Sequence, residues 1–174
     1  ALLNLGKNTI AKGVSIKGID VSNLTVEEAK NKINEAINIE LMLGIKLVYG
    51  EDFARDFDVN QIQYTYDVAG AVKQAYQVGK GQNIVANNYT LLTSVFLGKE
   101  IALEGSYNAE SLNGIMDDIA SKIPGLVVQA SYYREGDQLM IDKGQVGVEV
   151  EKEELKQKIL ENISQRDAMK IIEN

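Results

Sequence analysis

The pattern of apolar and polar positions changes period several times along the chain. Ile10, Val14 and Ile16 read as strand positions, and Gly18-Ile19-Asp20-Val21-Ser22-Asn23 reads as a turn. Thr25 stands three residues before Glu28, the spacing of a capping box that opens a helix. Val26, Ala29, Ile33, Ala36 and Ile37 then repeat at helical spacing, and Gly44 follows as a stop. Ile45, Leu47 and Tyr49 alternate with Lys46 and Val48, as in a strand. A second helix is predicted from Asp67, its N-cap, to the turn Gly79-Lys80-Gly81-Gln82-Asn83, with Val68, Val72, Ala75 and Tyr76 on its inner side. A third covers Ile84 to Leu97, followed by strand positions Ile101 and Leu103. A fourth covers Ala109 to Ile123, with Leu112, Ile115, Met116 and Ile119 on one stripe and Pro124 closing it.

Beyond Pro124, Val127 to Tyr132 and Gln138 to Asp142 flank Arg134-Glu135-Gly136-Asp137 in the outline of a hairpin. Val146, Val148 and Val150 suggest a further short strand, and Leu155, Ile159 and Ile163 mark a closing helix. The expected fold class is α+β, with small mixed or antiparallel sheets packed on amphipathic helices.

The chain also resembles itself. Residues 27–37 and 153–163 are identical at seven of eleven positions, and the same offset of 126 pairs Gly18 with Gly144. Either two amphipathic helices use one Glu/Lys/Ile vocabulary, or a β-turn-α unit was duplicated. On the second reading the chain divides into two related lobes, residues 10–105 and a smaller one at 106–174.

Composition narrows the function classes. The 174 residues carry a formal net charge of -7 and contain no Cys and no His. Thiol nucleophiles, imidazole bases, thiolate or imidazole metal sites and disulfides are therefore excluded. The negative balance disfavours sequence-independent nucleic-acid binding, which needs cations against phosphates. No serine has Lys three residues on, and neither Gly79-Lys80 nor Gly98-Lys99 continues into a phosphate-binding loop, so no nucleotide or other cofactor is expected. The longest apolar run, Ile39 to Val48, is broken by Glu40, Gly44 and Lys46. Asp56, Asp58 and Asn60 are spaced somewhat like calcium ligands, but Gln61 stands where such a loop needs glycine. A solvated strand edge is the expected reading, and no metal site is assigned.

The remaining candidates for ligand contact are the tyrosines Tyr64, Tyr66 and Tyr76 and the polar turn residues Lys80, Gln82 and Asn83. An aromatic ring offers a stacking face, Lys80 a partner for a carboxylate, and Gln82 and Asn83 partners for amides. Tyrosines at a core edge that bury the ring and leave the hydroxyl wet would look the same.

The run Gly13-Val14-Ser15-Ile16-Lys17-Gly18-Ile19-Asp20-Val21-Ser22-Asn23-Leu24-Thr25-Val26-Glu27-Glu28-Ala29 resembles the opening of the peptidoglycan-binding domain found N-terminal to VanW-like and YkuD-type L,D-transpeptidase domains of Gram-positive bacteria. Asn23 stands where that family usually has glycine, and Asn accepts a left-handed backbone better than most residues. The helix from Asp67 with its turn at Gly79 to Asn83, and the segment Gly144 to Val150, resemble later parts of the family. The resemblance implies a non-catalytic, exported module held near the wall by an N-terminal membrane anchor, with peptidoglycan and a downstream domain of the same polypeptide as partners. The start at Ala1, without Met or a leader pattern, is expected of a fragment. A structural spacer without a ligand and a carboxylate-dependent glycosidase remain as alternatives.

Overall fold

The Lys17-Gly18 turn sets the first element pair. Both residues have positive φ, 48° and 75°, the requirement of the two-residue turn that matches strand twist. It joins β1 (Val14–Ile16) to β2 (Ile19–Asp20), which pair antiparallel with Ile16 opposite Ile19. The computed structural model describes residues 8–49, 53–122, 132–135, 138–141 and 152–167. The chain divides into two units, one of residues 1–39, 66–105 and 167–174, the other of residues 40–65 and 106–166.

In the first unit, α1 (Val26–Met42) starts as its sequence predicts, with its last turn assigned to the second unit. The Thr25 amide donates to Glu28 Oε2 at 2.8 Å and the Glu28 amide donates to Thr25 Oγ1 at 3.2 Å, a reciprocal capping box. Asp67 caps α2 (Val68–Gln77) by accepting from the Gly70 amide at 2.9 Å. Asn83 caps α3 (Ile84–Leu97) by accepting from the Val85 and Ala86 amides. After Gly98, β6 (Lys99–Ile101) pairs parallel to β1, giving a three-stranded sheet in the order β2-β1-β6. Helix α2 packs on β1 and β6. The core of this unit joins Ile10, Val14, Ile16, Ile19 and Val21 with Ala29, Ile33, Val72, Ala75 and Ile101, all buried.

The second unit is built on β3 (Ile45–Tyr49), which pairs antiparallel with β4 (Phe53–Phe57) and parallel with β9 (Gln138–Ile141). With β8 (Tyr132–Glu135) the sheet order is β4-β3-β9-β8. The predicted hairpin is present in a shifted register: Glu135 pairs with Gln138, so Arg134 and Glu135 belong to the strand rather than the turn. The acidic stretch containing Asp56 forms the edge strand β4, and Asp58 caps a short 3-10 turn, η1 (Val59–Ile62), by accepting from the Asn60 amide. Helix α4 (Ala109–Lys122) packs on η1 and on α5 (Lys152–Ser164). Two short segments not foreseen from the pattern, β5 (Thr65–Tyr66) and β7 (Gly105–Ser106), pair as a separate ribbon. Leu103, expected in a strand, lies beyond β6. The expected strand at Val146 to Val150, with Gly144, Pro124 and the first residues of the hairpin, lies outside the described residues.

The α+β class is as expected. The division of the chain is more interleaved than 10–105 and 106–174, since residues 40–65 pack in the second unit because β3 pairs with β9. Under the offset of 126, α1 and α5 bury the same register positions: Ala29, Ile33, Ala36 and Ile37 in one, Leu155, Ile159, Asn162 and Ile163 in the other.

Candidate functional site

Gly13 begins the loop that shapes the site. Its φ is +84°, and a Cβ built there would stand 1.8 Å from the Ser94 carbonyl oxygen, so only glycine lets the loop lie on the backbone of α3. The Gly13 carbonyl accepts from the Lys99 amide at 2.8 Å, and Ser94 Oγ donates to the Lys12 carbonyl at 3.0 Å. On the other side of the loop the Gly13 amide donates to Ser22 Oγ at 2.9 Å. The Ser22 amide donates to Asp20 Oδ1 at 2.9 Å, closing an Asx turn. Asn23 follows with φ 63°, the left-handed backbone anticipated for a residue that replaces glycine.

These constraints leave a cleft of about 400 Å³ lined by Lys12, Gly13, Ser15, Gly18, Asp20, Ser22, Asn23 and neighbouring aliphatic carbons of Val14 and Val95. The volume suits a small ligand or one residue of a polymer. Its two charged groups are of opposite sign. The Ser22 hydroxyl, then the Ser22 amide, hold the Asp20 carboxyl below its usual range, with Lys32 adding to the effect, so Asp20 is ionised at neutral pH. Lys32 Nζ also donates to the Asp20 carbonyl at 2.6 Å. At the hairpin, Glu100 accepts from Ser15 Oγ and, at 2.8 Å, from the Gly18 amide. The cleft therefore offers an ionised anion and a cation, beside hydroxyls that are engaged in holding the loop, a lining that suits a zwitterionic ligand.

The residues singled out from sequence have other placements. Lys80 Nζ donates to the Thr9 carbonyl at 2.6 Å and to the Tyr76 carbonyl at 2.9 Å, and stands 3.7 Å from the Tyr76 ring centroid. Lys80 thus ties the C-terminal end of α2 to the chain near Thr9, and desolvation lowers its pKa. The Asn83 side-chain oxygen is taken up by the α3 cap. Gln82 is exposed. Tyr66 is half-buried with Lys17 Nζ 5.7 Å from its ring centroid. Tyr64 is buried in the second unit. Lys80 and Tyr76 are thus brought together, but as a structural clamp; Tyr64 is in a different unit from the rest. The cleft residues Lys12, Ser15, Asp20 and Ser22 were not singled out, although three of them lie in the motif from Gly13 to Ala29. Among the described residues, no group of three acidic side chains is arranged to hold a metal ion, and no helix is long and apolar enough to cross a membrane.

The family model described as "putative peptidoglycan binding domain" matches residues 56–171. The chain belongs to that family. The match takes in α2 to α5 and leaves the motif from Gly13 to Ala29 outside it, so that Val95 is the one cleft residue within the matched stretch. No characterised protein and no solved structure matches the chain. Membership in a peptidoglycan-binding family supports peptidoglycan as the partner and the neighbourhood of the cell wall as the setting.

Proposed function

We propose that the chain is a non-catalytic module that binds peptidoglycan and positions a downstream domain of the same polypeptide at the wall, in an exported protein anchored to the membrane. The observation that carries this reading, beside the family match, is the presence of both Lys12 and an ionised Asp20 in the lining of one cleft. A peptidoglycan stem peptide presents the complementary pair: a carboxylate for Lys12 and a free amino group for Asp20. Opposite charges in one small cleft also favour a zwitterionic ligand over the polyanions of the wall, which the net charge of -7 repels.

Co-sedimentation with purified sacculi, with and without teichoic acids, tests the reading. Saturable pelleting that weakens in a Lys12→Ala, Asp20→Asn double variant is expected. Asp20→Asn keeps a side-chain oxygen for the Ser22 amide, so the loop survives while the charge is removed. A protein that stays in the supernatant under all conditions is a spacer rather than a binding module.

A further inference from the structure

Lys12 and Asp20 line one cleft, yet they form no salt bridge with each other. Among the described residues, no carboxylate or carbonyl takes up the Lys12 ammonium. The Lys12 carbonyl is fixed on α3 by Ser94 Oγ at 3.0 Å, so the root of the residue is held while its side chain is exposed. On the opposite charge, Asp20 Oδ1 accepts from the Ser22 amide at 2.9 Å. Lys32 Nζ bonds the Asp20 carbonyl rather than the carboxylate, and no cation among the described residues forms a salt bridge with that carboxylate. The loop between them has little freedom to bring the two together. Gly13 lies against the Ser94 carbonyl, and its amide is tied to Ser22. An ammonium and a carboxylate held unpaired in one cleft suit a ligand that carries both opposite charges.

That requirement divides the stem peptides of a wall into two populations. An uncross-linked stem peptide keeps both its side-chain amino group and its C-terminal carboxylate. Cross-linking joins the amino nitrogen of one peptide to an acyl carbon of another as an amide, and the second peptide's terminal residue leaves with its carboxylate. One partner in each cross-link therefore loses the ammonium, and the other loses the C-terminal carboxylate. Neither keeps the pair.

We propose, resting on the stem-peptide reading of the cleft, that Lys12 and Asp20 together select uncross-linked stem peptides over cross-linked ones. Lys12 reads the C-terminal carboxylate and Asp20 reads the side-chain ammonium. An amide at either place leaves one charge of the protein facing a neutral group, and the discrimination comes from that unmatched charge. A module of this kind directs what it carries toward wall that has not been cross-linked.

Isothermal titration calorimetry with synthetic ligands tests this. The ligands are a free stem peptide, the same peptide acetylated on its side-chain amine, the same peptide amidated at its C-terminus, and a cross-linked pair. The free peptide is expected to bind, and each of the others to bind about tenfold more weakly or worse. Asp20→Asn should erase the penalty for acetylation and keep the one for amidation, and Lys12→Gln should do the reverse. Circular dichroism should be unchanged, since Asn still accepts from the Ser22 amide and the Lys12 side chain is exposed. Equal binding of every ligand by the wild type overturns the selection while leaving peptidoglycan binding in place. A penalty that neither variant alters overturns it as well. Free alanine bound as tightly as the peptide overturns it in favour of a site for single amino acids. Sacculi bound without any of the peptides would move the contact to the glycan, and sacculi left unbound would remove the underlying reading too.

Discussion

The Gly13 amide and the Ser22 hydroxyl, nine residues apart, are joined by a 2.9 Å hydrogen bond that holds the loop from which the cleft is made. Ser22 uses the same hydroxyl to hold Asp20 ionised, so the loop's shape and the cleft's charge depend on one side chain. Gly13 itself has no substitute. Gly13→Ala places a methyl group on the Ser94 carbonyl at a left-handed backbone position and is expected to cost about 3 kcal/mol or more. Urea unfolding checks this; a loss below about 1 kcal/mol would show that the loop shifts away from α3 with little strain.

Acid should weaken the fold in part through the capping box. The Thr25 amide, then the Thr25 hydroxyl, lower the Glu28 pKa from its usual 4.5, and Asp20 lies below its usual 3.8. The unfolded chain takes up these protons first as pH falls. The stability contributed is therefore fully present above the unfolded values and is lost as pH falls through the depressed folded ones. Glu28→Gln keeps an acceptor for the Thr25 amide but does not titrate there. Its melting temperature should fall less steeply than the wild type's between about pH 5 and pH 3. Parallel slopes would remove Glu28 from the account.

Lys80 separates structure from binding. Lys80→Met keeps much of the aliphatic stem over Tyr76 and removes the bonds to the Thr9 and Tyr76 carbonyls. A loss of about 1 kcal/mol is expected, discounted for the solvent exposure of the site, with pelleting on sacculi unchanged. Pelleting lost without loss of stability would return Lys80 to the binding site.

Arg166 is the corresponding anchor of the second unit. It is 3% exposed, and its guanidinium donates to the carbonyls of Glu40 and Leu43, each at 2.7 Å, and of Gly44 at 3.0 Å. These are carbonyls at and just past the end of α1, which a single planar cation satisfies together. Arg166→Ala should cost about 3–5 kcal/mol, and Arg166→Lys should recover only part of it. Chemical denaturation of the two variants measures the difference.

Local signals in the sequence were sufficient for the helices. Thr25 with Glu28, Asp67 with Gly70, and Asn83 with the amides beyond it are bonds across two or three residues, and residue type alone announces them. What escaped was nonlocal. Arg166 reaches carbonyls more than a hundred residues away, and nothing near it in sequence marks the destination. The edge strand at Asp56 was legible as a solvated strand edge, but its pairing with β3 and the parallel pairing of β3 with β9, about ninety residues on, were not. Lys80 and Asn83 were singled out for their polar ends, yet the same ends that suit a ligand also suit the termini of the helices beside them. The apolar spacing of α3 predicted a helix but could not say which of its two apolar sides faces the core.

The most direct test of the central claim is quantitative co-sedimentation of the chain with teichoic-acid-free sacculi, comparing wild type with the Lys12→Ala, Asp20→Asn double variant. The account predicts saturable binding by the wild type, reduced at least about tenfold in the variant, a difference of about 1.4 kcal/mol, with both proteins equally folded. Equal binding by the two proteins would place the wall contact elsewhere than the cleft at Gly13, Asp20 and Ser22, and no binding by either would contradict the claim that this chain engages peptidoglycan.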